Sequence, residues 1–325
     1  MPHAFSSTRA IEPHFLRNAL DVLIIGAGPA GLSAALSLGR VRRSVAIFYS
    51  DGHKRAIGAD LHRSDGKTTM PVQTDMIAEL KTKYKTVLFT NTMAKSIRDR
   101  GMVFEVEDAT GKRWKGRKII LAMGTQDYFP DISGYQDVWG SKIFDGLQCR
   151  GSEFSTAICA AALITCDNRD SIDSAVLSAY LARQYTLDVT LLINGFYHLE
   201  QHPQIIVAAN KGLKVDNRHI KSFTGANLES SVMVEFSDGT KATYSFIIHK
   251  HRSEVRGLFL QELGLEMTSQ GRILVEGDFQ ETSTRGVFAA GGCASVIDDE
   301  VIEISGGMAA GIGTNLQILE DDASL

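Results

Sequence analysis

What this chain lacks narrows its class before any motif is read. It has no excess of one charge: 34 Lys and Arg face 38 Asp and Glu, a formal balance of -4 over 325 residues, so no basic face is offered to nucleic acid. No apolar run approaches the roughly 18 residues that a membrane-spanning helix needs. Met1 to Leu20 carries His, Arg and Glu and no apolar core segment, and does not read as a secretory signal. Cysteine is scarce. Cys149, Cys159, Cys166 and Cys293 include no C-x-x-C pair, and no His/Cys cluster has zinc spacing, so no metal site is expected. Scattered thiols of this kind fit a reducing cytoplasm. There is no G-x-S-x-G elbow for serine hydrolysis, and there are no heptads, short repeats or low-complexity tracts. What remains is a globular chain of two-domain length.

The most informative stretch present is Asp21 to Ala35, DVLIIGAGPAGLSAA. Val22-Leu23-Ile24-Ile25 reads as a buried parallel strand, Gly26-Ala27-Gly28-Pro29-Ala30-Gly31 as a sharp turn, and Leu32 to Leu38 as the opening of a helix. In such a turn Gly26 permits the tight bend, Gly28 lets backbone approach a pyrophosphate, and Gly31 lets helix and strand pack closely. The helix start presents N–H groups to phosphate. A second strand, Ser44 to Phe48, follows, so the glycines sit in the strand–turn–helix–strand setting that the motif requires.

Beyond it lie a polar loop from Tyr49 to Thr69, a helix over Gln73 to Lys83, and short strands at Thr86 to Phe89, Val103 to Val106 and Lys118 to Ala122. The last strand runs into Ala122-Met123-Gly124. A second strand–helix–strand unit occupies Thr156 to Thr165, Ser171 to Tyr185 and Val189 to Ile193, with later strands at Val232 to Phe236 and Thr243 to His249. The chain then returns through Val287-Phe288-Ala289-Ala290-Gly291-Gly292 to a helix over Ser305 to Leu319 whose first turn is glycine-rich.

In this order the glycine turn, Ala122-Met123-Gly124, the GVFAAG run ending at Gly291 and the tail GGMAAGIGTNLQ from Gly306 to Gln317 resemble the thioredoxin reductase class of flavoproteins. Ile132-Ser133-Gly134-Tyr135, Trp139-Gly140, Ile143-Phe144 and Leu263-Gly264-Leu265-Glu266 are similar to the fungal dithiol oxidases of secondary metabolism, the gliotoxin and holomycin type. The resemblance runs from Asp21 nearly to the end. It implies an α/β fold of two Rossmann-like nucleotide-binding domains, one inserted into the other: residues 1–133 and 253–325 as a discontinuous FAD-binding domain, and 134–252 as the insert in the place of an NADPH domain. It also implies a homodimer acting on a small molecule. The residues it assigns to FAD are Gly26, Gly28, Pro29, Ala30, Gly31, Tyr49, Ser50, Asp51, Arg55, Ala122, Met123, Gly124, Gly291, Gly292, Gly307 and Met308.

The departures from that class carry functional content. Its redox motif, C-x-x-C-H-G-[YF]-E, is matched here by Gly146-Leu147-Gln148-Cys149-Arg150-Gly151-Ser152-Glu153. A disulfide needs two sulfurs about 2 Å apart, and Gly146 supplies none. Dithiol exchange by the family route is therefore not expected. Cys149 stands where a sulfur would face the flavin. It is either a nucleophile or donor with a thiol acidified by Arg150 or a helix end, or a small apolar remnant. The second phosphate loop reads Ile164-Thr165-Cys166-Asp167-Asn168-Arg169-Asp170-Ser171, with no glycine and with acids where phosphate would lie, so NADPH is not expected. Arg169 and Arg183 read as solvated. In the first domain, Tyr49 takes the place of the acidic residue that accepts ribose hydroxyls, and Gly292 that of the Asp that holds the ribityl chain. Two lost hydrogen bonds to charged groups cost roughly 3–6 kcal/mol, about 10²- to 10⁴-fold in affinity.

His62, in the flavin-proximal loop of the resemblance, Cys149 and Glu303 are the candidate chemical groups. Asp298-Asp299-Glu300 and Glu303 precede the expected last helix, where acids favour the helix dipole; Glu303 is also placed to act as a general base. His249 and His251, two apart on a strand, point the same way, and read as a surface or interdomain pair rather than a metal site. His198 and His202 read as solvated. The first expectation for activity is an FAD-dependent oxidoreductase that removes hydride from a C–H/O–H or C–H/N–H unit of a secondary metabolite and is reoxidised by dioxygen. The start of the helix at Ser305 would then stabilise negative charge on the flavin. The alternatives are a flavin-free cyclase or isomerase with substrate in the old flavin cleft, and a dimeric pseudoenzyme supporting a partner.

Overall fold

The computed structural model describes residues 19–49, 72–146, 154, 156–166, 169–225, 231–255, 257, 259–297 and 299–324. They form two compact units. The first comprises the described residues up to 126 and from 254 onward, and the second is residues 127–253, against the 134–252 read from sequence.

The first unit begins with β1 (Leu20–Ile25), α1 (Pro29–Arg40), β2 (Val45–Phe48), α2 (Val72–Lys83), β3 (Val87–Phe89), β4 (Ala94–Asp99), β5 (Phe104–Asp108) and β6 (Arg113–Leu121). After β7 (Thr125–Tyr128) the second unit holds α3 (Tyr135–Val138), β8 (Ile143–Phe144), β9 (Cys159–Leu163), α4 (Arg169–Ala182), β10 (Asp188–Leu192), α5 (Pro203–Asn210), β11 (Lys214–Asp216), β12 (Ile220–Gly225), β13 (Val232–Phe236), β14 (Lys241–Tyr244) and β15 (Phe246–Ile248). β16 (Arg252–Val255) leads back to the first unit, which ends with α6 (Phe259–Glu262), β17 (Val275–Glu276), β18 (Glu281–Thr282), β19 (Val287–Ala289) and α7 (Glu300–Ser324).

The first unit's sheet has the order β17-β18-β19-β6-β1-β2-β3, with the β4–β5 hairpin attached to β6. β19, β6, β1, β2 and β3 are parallel to one another, with Ile24 opposite both Ile47 and Ile120. A parallel sheet is buried on both faces, so its strands are continuous apolar runs. Val22, Leu23, Ile24 and Ile25 are all buried, each contributing about 1.5–3 kcal/mol. At the amino end of β1, Asp21 accepts both the Ser44 N–H and its hydroxyl at 2.8 Å, and Arg43 pairs with Asp21 at 3.4 Å while donating to Asn315 of α7 at 2.7 Å.

α7 departs from the sequence expectation. It starts at Glu300, not Ser305, because Asp299 caps it: its Oδ1 accepts the N–H groups of Val301 at 2.9 Å and Ile302 at 3.2 Å. Glu303 therefore belongs to the first turns of the helix, and Gly306-Gly307 lies inside it. The glycines serve packing. A Cβ at Gly307 would lie 2.0 Å from the Ala30 carbonyl oxygen and 2.2 Å from Ser33 Oγ, and one at Gly311 2.9 Å from the Ala34 carbonyl. Each glycine costs the helix about 1 kcal/mol against alanine, and backbone-close packing of α7 on α1 offsets it. The expected charge-stabilising helix start at Ser305 is thus corrected, and Gly307 with its neighbour Met308 sits at a helix–helix crossing.

The second unit has a five-stranded parallel core ordered β11-β10-β9-β15-β8 and a separate antiparallel sheet β12-β13-β14.

Candidate functional site

In the first unit the chain leaves β1 toward β2 on one side, while β6 and β19 lie on the other. The carboxyl ends of β1 and β6 thus flank the point where strand order reverses, which is where open α/β sheets bind ligands. Gly26 follows β1 with φ +114°, and a Cβ there would meet the Ala122 carbonyl oxygen at 2.1 Å. Gly31 sits inside α1, where a Cβ would meet the Gly26 carbonyl oxygen at 2.1 Å. Gly28 is different. It is the N-cap of α1 in extended conformation, and among the described residues no side chain caps the helix and a Cβ at Gly28 would find no atom within 4 Å. Two glycines are thus demanded by the protein's own backbone, and the third faces open space beside the helix start.

The other two turns come to the same end of the sheet. Gly124 (φ +64°) follows β6, and Gly291 (φ +74°) follows β19. A Cβ on Gly291 would lie 2.9 Å from Ala30 Cβ. One on Gly292 would lie 3.7 Å from Gly124 Cα and 3.7 Å from Glu303 Oε1. Gly26 to Gly31, Ala122 to Gly124, Gly291-Gly292 and the Glu303 carboxylate therefore converge. This glycine-lined cradle fits a dinucleotide phosphate: it offers helical N–H groups that, among the described residues, no side chain caps, and Gln73 reaches the turn to donate to the Ala27 carbonyl at 2.9 Å. It fits the sugars less well. Tyr49, just past β2, lies edge-on to Phe89 at 5.8 Å, and brings a phenol instead of a carboxylate. Ser50, Asp51, Arg55, His62 and Cys149 lie outside the described residues.

Cys293, beside Gly292, is fully buried. Its S–H lies 3.2 Å from the Ala290 carbonyl and 3.3 Å from that of Leu121, and burial pushes the thiol up to about 11. It is a poor nucleophile at neutral pH.

In the second unit the stretch between β9 and α4 brings Asp170 into the helix's first turn, and Arg169 is exposed and paired with Asp173 at 3.7 Å. Arg183 donates to the Lys211 carbonyl at 2.6 Å. His198 is exposed on a short 3-10 turn (Tyr197–Gln201), and His202, half-buried, stands at the N-cap position of α5 without a capping hydrogen bond from its side chain. The surface reading of His249 and His251 is overturned: both are buried. His249 Nδ1 meets the Tyr135 hydroxyl at 2.6 Å, and Nε2 meets Thr165 Oγ1 at 2.9 Å. His251 Nε2 lies 3.0 Å from Asp127 Oδ1, with its ring against Phe129 and Trp139. Burial first, and the neighbouring His251 second, push His249 down to about 3, so it is neutral. Sequence gave no sign of this network, because Tyr135 and His249 stand 114 positions apart. Among the described residues, no group of His, Cys, Asp or Glu could hold a metal, and no helix is long and apolar enough to cross a membrane.

Comparison with known proteins agrees with this architecture. Residues 20–157 match the family described as pyridine nucleotide-disulphide oxidoreductase. The chain is 36% identical to a thioredoxin reductase, sirT, of Leptosphaeria maculans over 93% of this chain and 95% of that one. It is 33% identical to another, aclD, of Aspergillus oryzae over 93% and 97%. The crystal structure of HlmI superposes with a TM-score of 0.83 at 25% identity, covering 94% of each chain.

Proposed function

Because the chain belongs to the thioredoxin reductase-like pyridine nucleotide-disulphide oxidoreductases, we propose that it is an FAD-dependent oxidoreductase acting on a small secondary metabolite without cycling a disulfide of its own. The observation that carries this reading is the cradle: three glycine turns and one carboxylate gathered at the switch point, in a sequence with no C-x-x-C. Gly28 and the α1 N-terminus hold the pyrophosphate, and Gly124 and Gly291-Gly292 leave room along the rest of the cofactor. Bound there, FAD would supply two-electron redox chemistry, with dioxygen as the final acceptor. Glu303 takes the proton from the substrate's O–H or N–H, with Cys149 and His62 as the further candidate groups. NADPH takes no part, since no glycine opens the second phosphate loop and Asp170 stands at its helix start. Scattered thiols support a cytoplasmic location.

Purified protein is expected to show the visible absorption of oxidised flavin, bleached by substrate without air and restored by air. Glu303→Gln is expected to slow that bleaching by about 10²- to 10⁴-fold with flavin content unchanged. Colourless protein unable to take up FAD overturns the proposal. It would favour the flavin-free cyclase or isomerase, which Tyr49 and Gly292, in the places of acidic partners, support.

We also propose a homodimer. Ile312, Leu316 and Leu319 recur every three to four residues along α7 and are 43%, 41% and 50% exposed. Such a stripe is the kind of face that a second copy covers. Leu316→Glu is expected to halve the mass seen by light scattering. An unchanged mass removes this face from the interface.

A further inference from the structure

The end of α1 places a charge where helices ordinarily place none. The backbone N–H of Arg42 donates to the Gly39 carbonyl at 3.0 Å, and that of Arg43 to the Leu38 carbonyl at 3.0 Å. These bonds close the last turn and set Arg42, the residue after the C-cap Val41, in the left-handed region with φ +61°. Glycine, and at times asparagine, takes that position in other helices, because a larger side chain crowds the backbone there. The other described non-glycine residues with positive φ are Asn91, Asn194 and Gln280, all uncharged. Arg42 is exposed, as are Arg40 before it and Val41 between them.

α2 brings more positive charge to the same corner. A Cβ on Gly39 would lie 3.0 Å from the Tyr84 ring, so the end of α1 packs on the residues that follow α2. Val45 of β2 pairs with Val87 of β3, which sets Arg42, three residues before Val45, near Lys85, two before Val87. Lys81 and Lys83 stand in the last turn of α2, and all three lysines are exposed. Lys83 pairs with Glu79 at 3.3 Å, and Lys81 lies 5.3 Å from the Phe89 ring centroid. Arg40, Arg42 and Lys85 have no acidic partner among the described residues. Asp21 and Asp322, at the same end of the sheet, face Arg43 and Arg117 instead. Cations in a last helical turn complement the helix dipole, which accounts for Arg40, Lys81 and Lys83. It does not account for Lys85, past the end of α2, or for a charge at a strained position that glycine would fill at less cost. A side chain kept at the expense of its backbone points to use of that side chain.

We propose that this corner docks an acidic segment of a partner protein, with Arg40, Arg42 and Lys85 as its contacts. Carboxylates complement the unpaired cations, and Val41, 51% exposed between the two arginines, seats an apolar side chain of the segment. The chain as a whole carries -4, so a long nucleic acid meets repulsion beyond the patch. A single exposed valine is too little apolar surface to enter a bilayer. The corner lies at the amino ends of β2 and β3, the opposite end of the parallel sheet from the glycine cradle, so the docking does not depend on the oxidoreductase reading.

The test uses the full chain and three probes: a short glutamate peptide with a central leucine, an oligothymidine of the same length, and vesicles of phosphatidylserine and phosphatidylcholine. Fluorescence anisotropy reads the first two and co-sedimentation the third. The peptide is expected to bind best, and to weaken several-fold as salt rises from about 50 to about 200 mM. Arg40→Gln, Arg42→Gln and Lys85→Gln combined are expected to weaken it about tenfold. Arg113→Gln with Lys115→Gln, which removes two exposed cations of β6, is expected to leave it unchanged. Arg42→Gly is expected to weaken the peptide about two- to fivefold while raising the melting temperature by about 1–4 °C, since glycine relieves the backbone. Unchanged peptide binding in the triple variant, tighter binding of the oligothymidine or the vesicles, or a lower melting temperature in Arg42→Gly overturns the proposal. Colourless protein that binds the peptide sustains this surface and removes the flavin reading; yellow protein that does not bind it removes this surface alone.

Discussion

Gly26→Ala is expected to remove about 2–5 kcal/mol of stability, whereas Gly28→Ala, two residues on, is expected to remove almost none and to strip the protein of flavin. At Gly26 two costs add. The residue has φ +114°, and its new methyl would lie 2.1 Å from a backbone carbonyl that cannot move without breaking β6 from β1. A left-handed conformation costs roughly 1–2 kcal/mol and overpacking typically 1–3 kcal/mol. Against a total stability of about 5–15 kcal/mol, that is a large fraction. At Gly28 neither cost applies, because the backbone is extended and the methyl meets nothing. It would, however, occupy the space through which a pyrophosphate reaches the helix N–H groups. Loss of one hydrogen bond to charged phosphate weakens binding by about 10- to 100-fold. Urea unfolding and the ratio of flavin to protein after desalting read the two effects separately. Full flavin retention in Gly28→Ala would remove the cradle from the cofactor site, and parental stability in Gly26→Ala would refute the steric argument.

Acid is expected to destabilise the second unit through His249. Unfolded histidine titrates near pH 6.5, but in the fold His249 stays neutral down to about pH 3. Between those values the unfolded chain binds a proton that the folded chain refuses. Stability is therefore full above about pH 6.5 and falls as pH drops toward 3, by roughly 1.4 kcal/mol per pH unit and up to about 4–5 kcal/mol in all. The cause is spatial. The ring is enclosed by Tyr135 and Thr165, and His251, itself facing Asp127, adds repulsion; Asp145, which bears on Tyr135, is paired with Lys250 at 2.9 Å. His249→Gln keeps an amide in the network and does not titrate. It is expected to be less stable than the parent at neutral pH but to show a shallower loss between about pH 6 and pH 4, measured by urea midpoints monitored by circular dichroism. Parallel slopes would assign the acid sensitivity to other groups.

Much of the first unit was legible because its signals are local. The apolar run at Val22 to Ile25, the spacing of Gly26, Gly28 and Gly31, and the returning GVFAAG strand each act over a few residues, and parallel burial leaves them little latitude. The absence of a C-x-x-C pair is likewise a property of the sequence alone. The start of α7 was misread because glycine at Gly306-Gly307 resembles a helix boundary, while a single aspartate, Asp299, sets the true one through two hydrogen bonds. Gly307 then proved to be a contact with α1, which only the neighbouring helix could reveal.

His249 marks the other limit. A histidine two residues from another at the end of a strand looks the same in sequence whether it faces water or lies sealed against Tyr135. The sequence by itself determined the fold, the place of the nucleotide turn and the missing cysteine partner, because glycine spacing and apolar period are rules of the local backbone. Tertiary structure alone decided which glycines the protein needs for itself, which histidines are buried and that Glu303 comes to lie beside Gly291 and Gly292. Those depend on packing between segments far apart in the chain, where burial and hydrogen-bond partners are chosen.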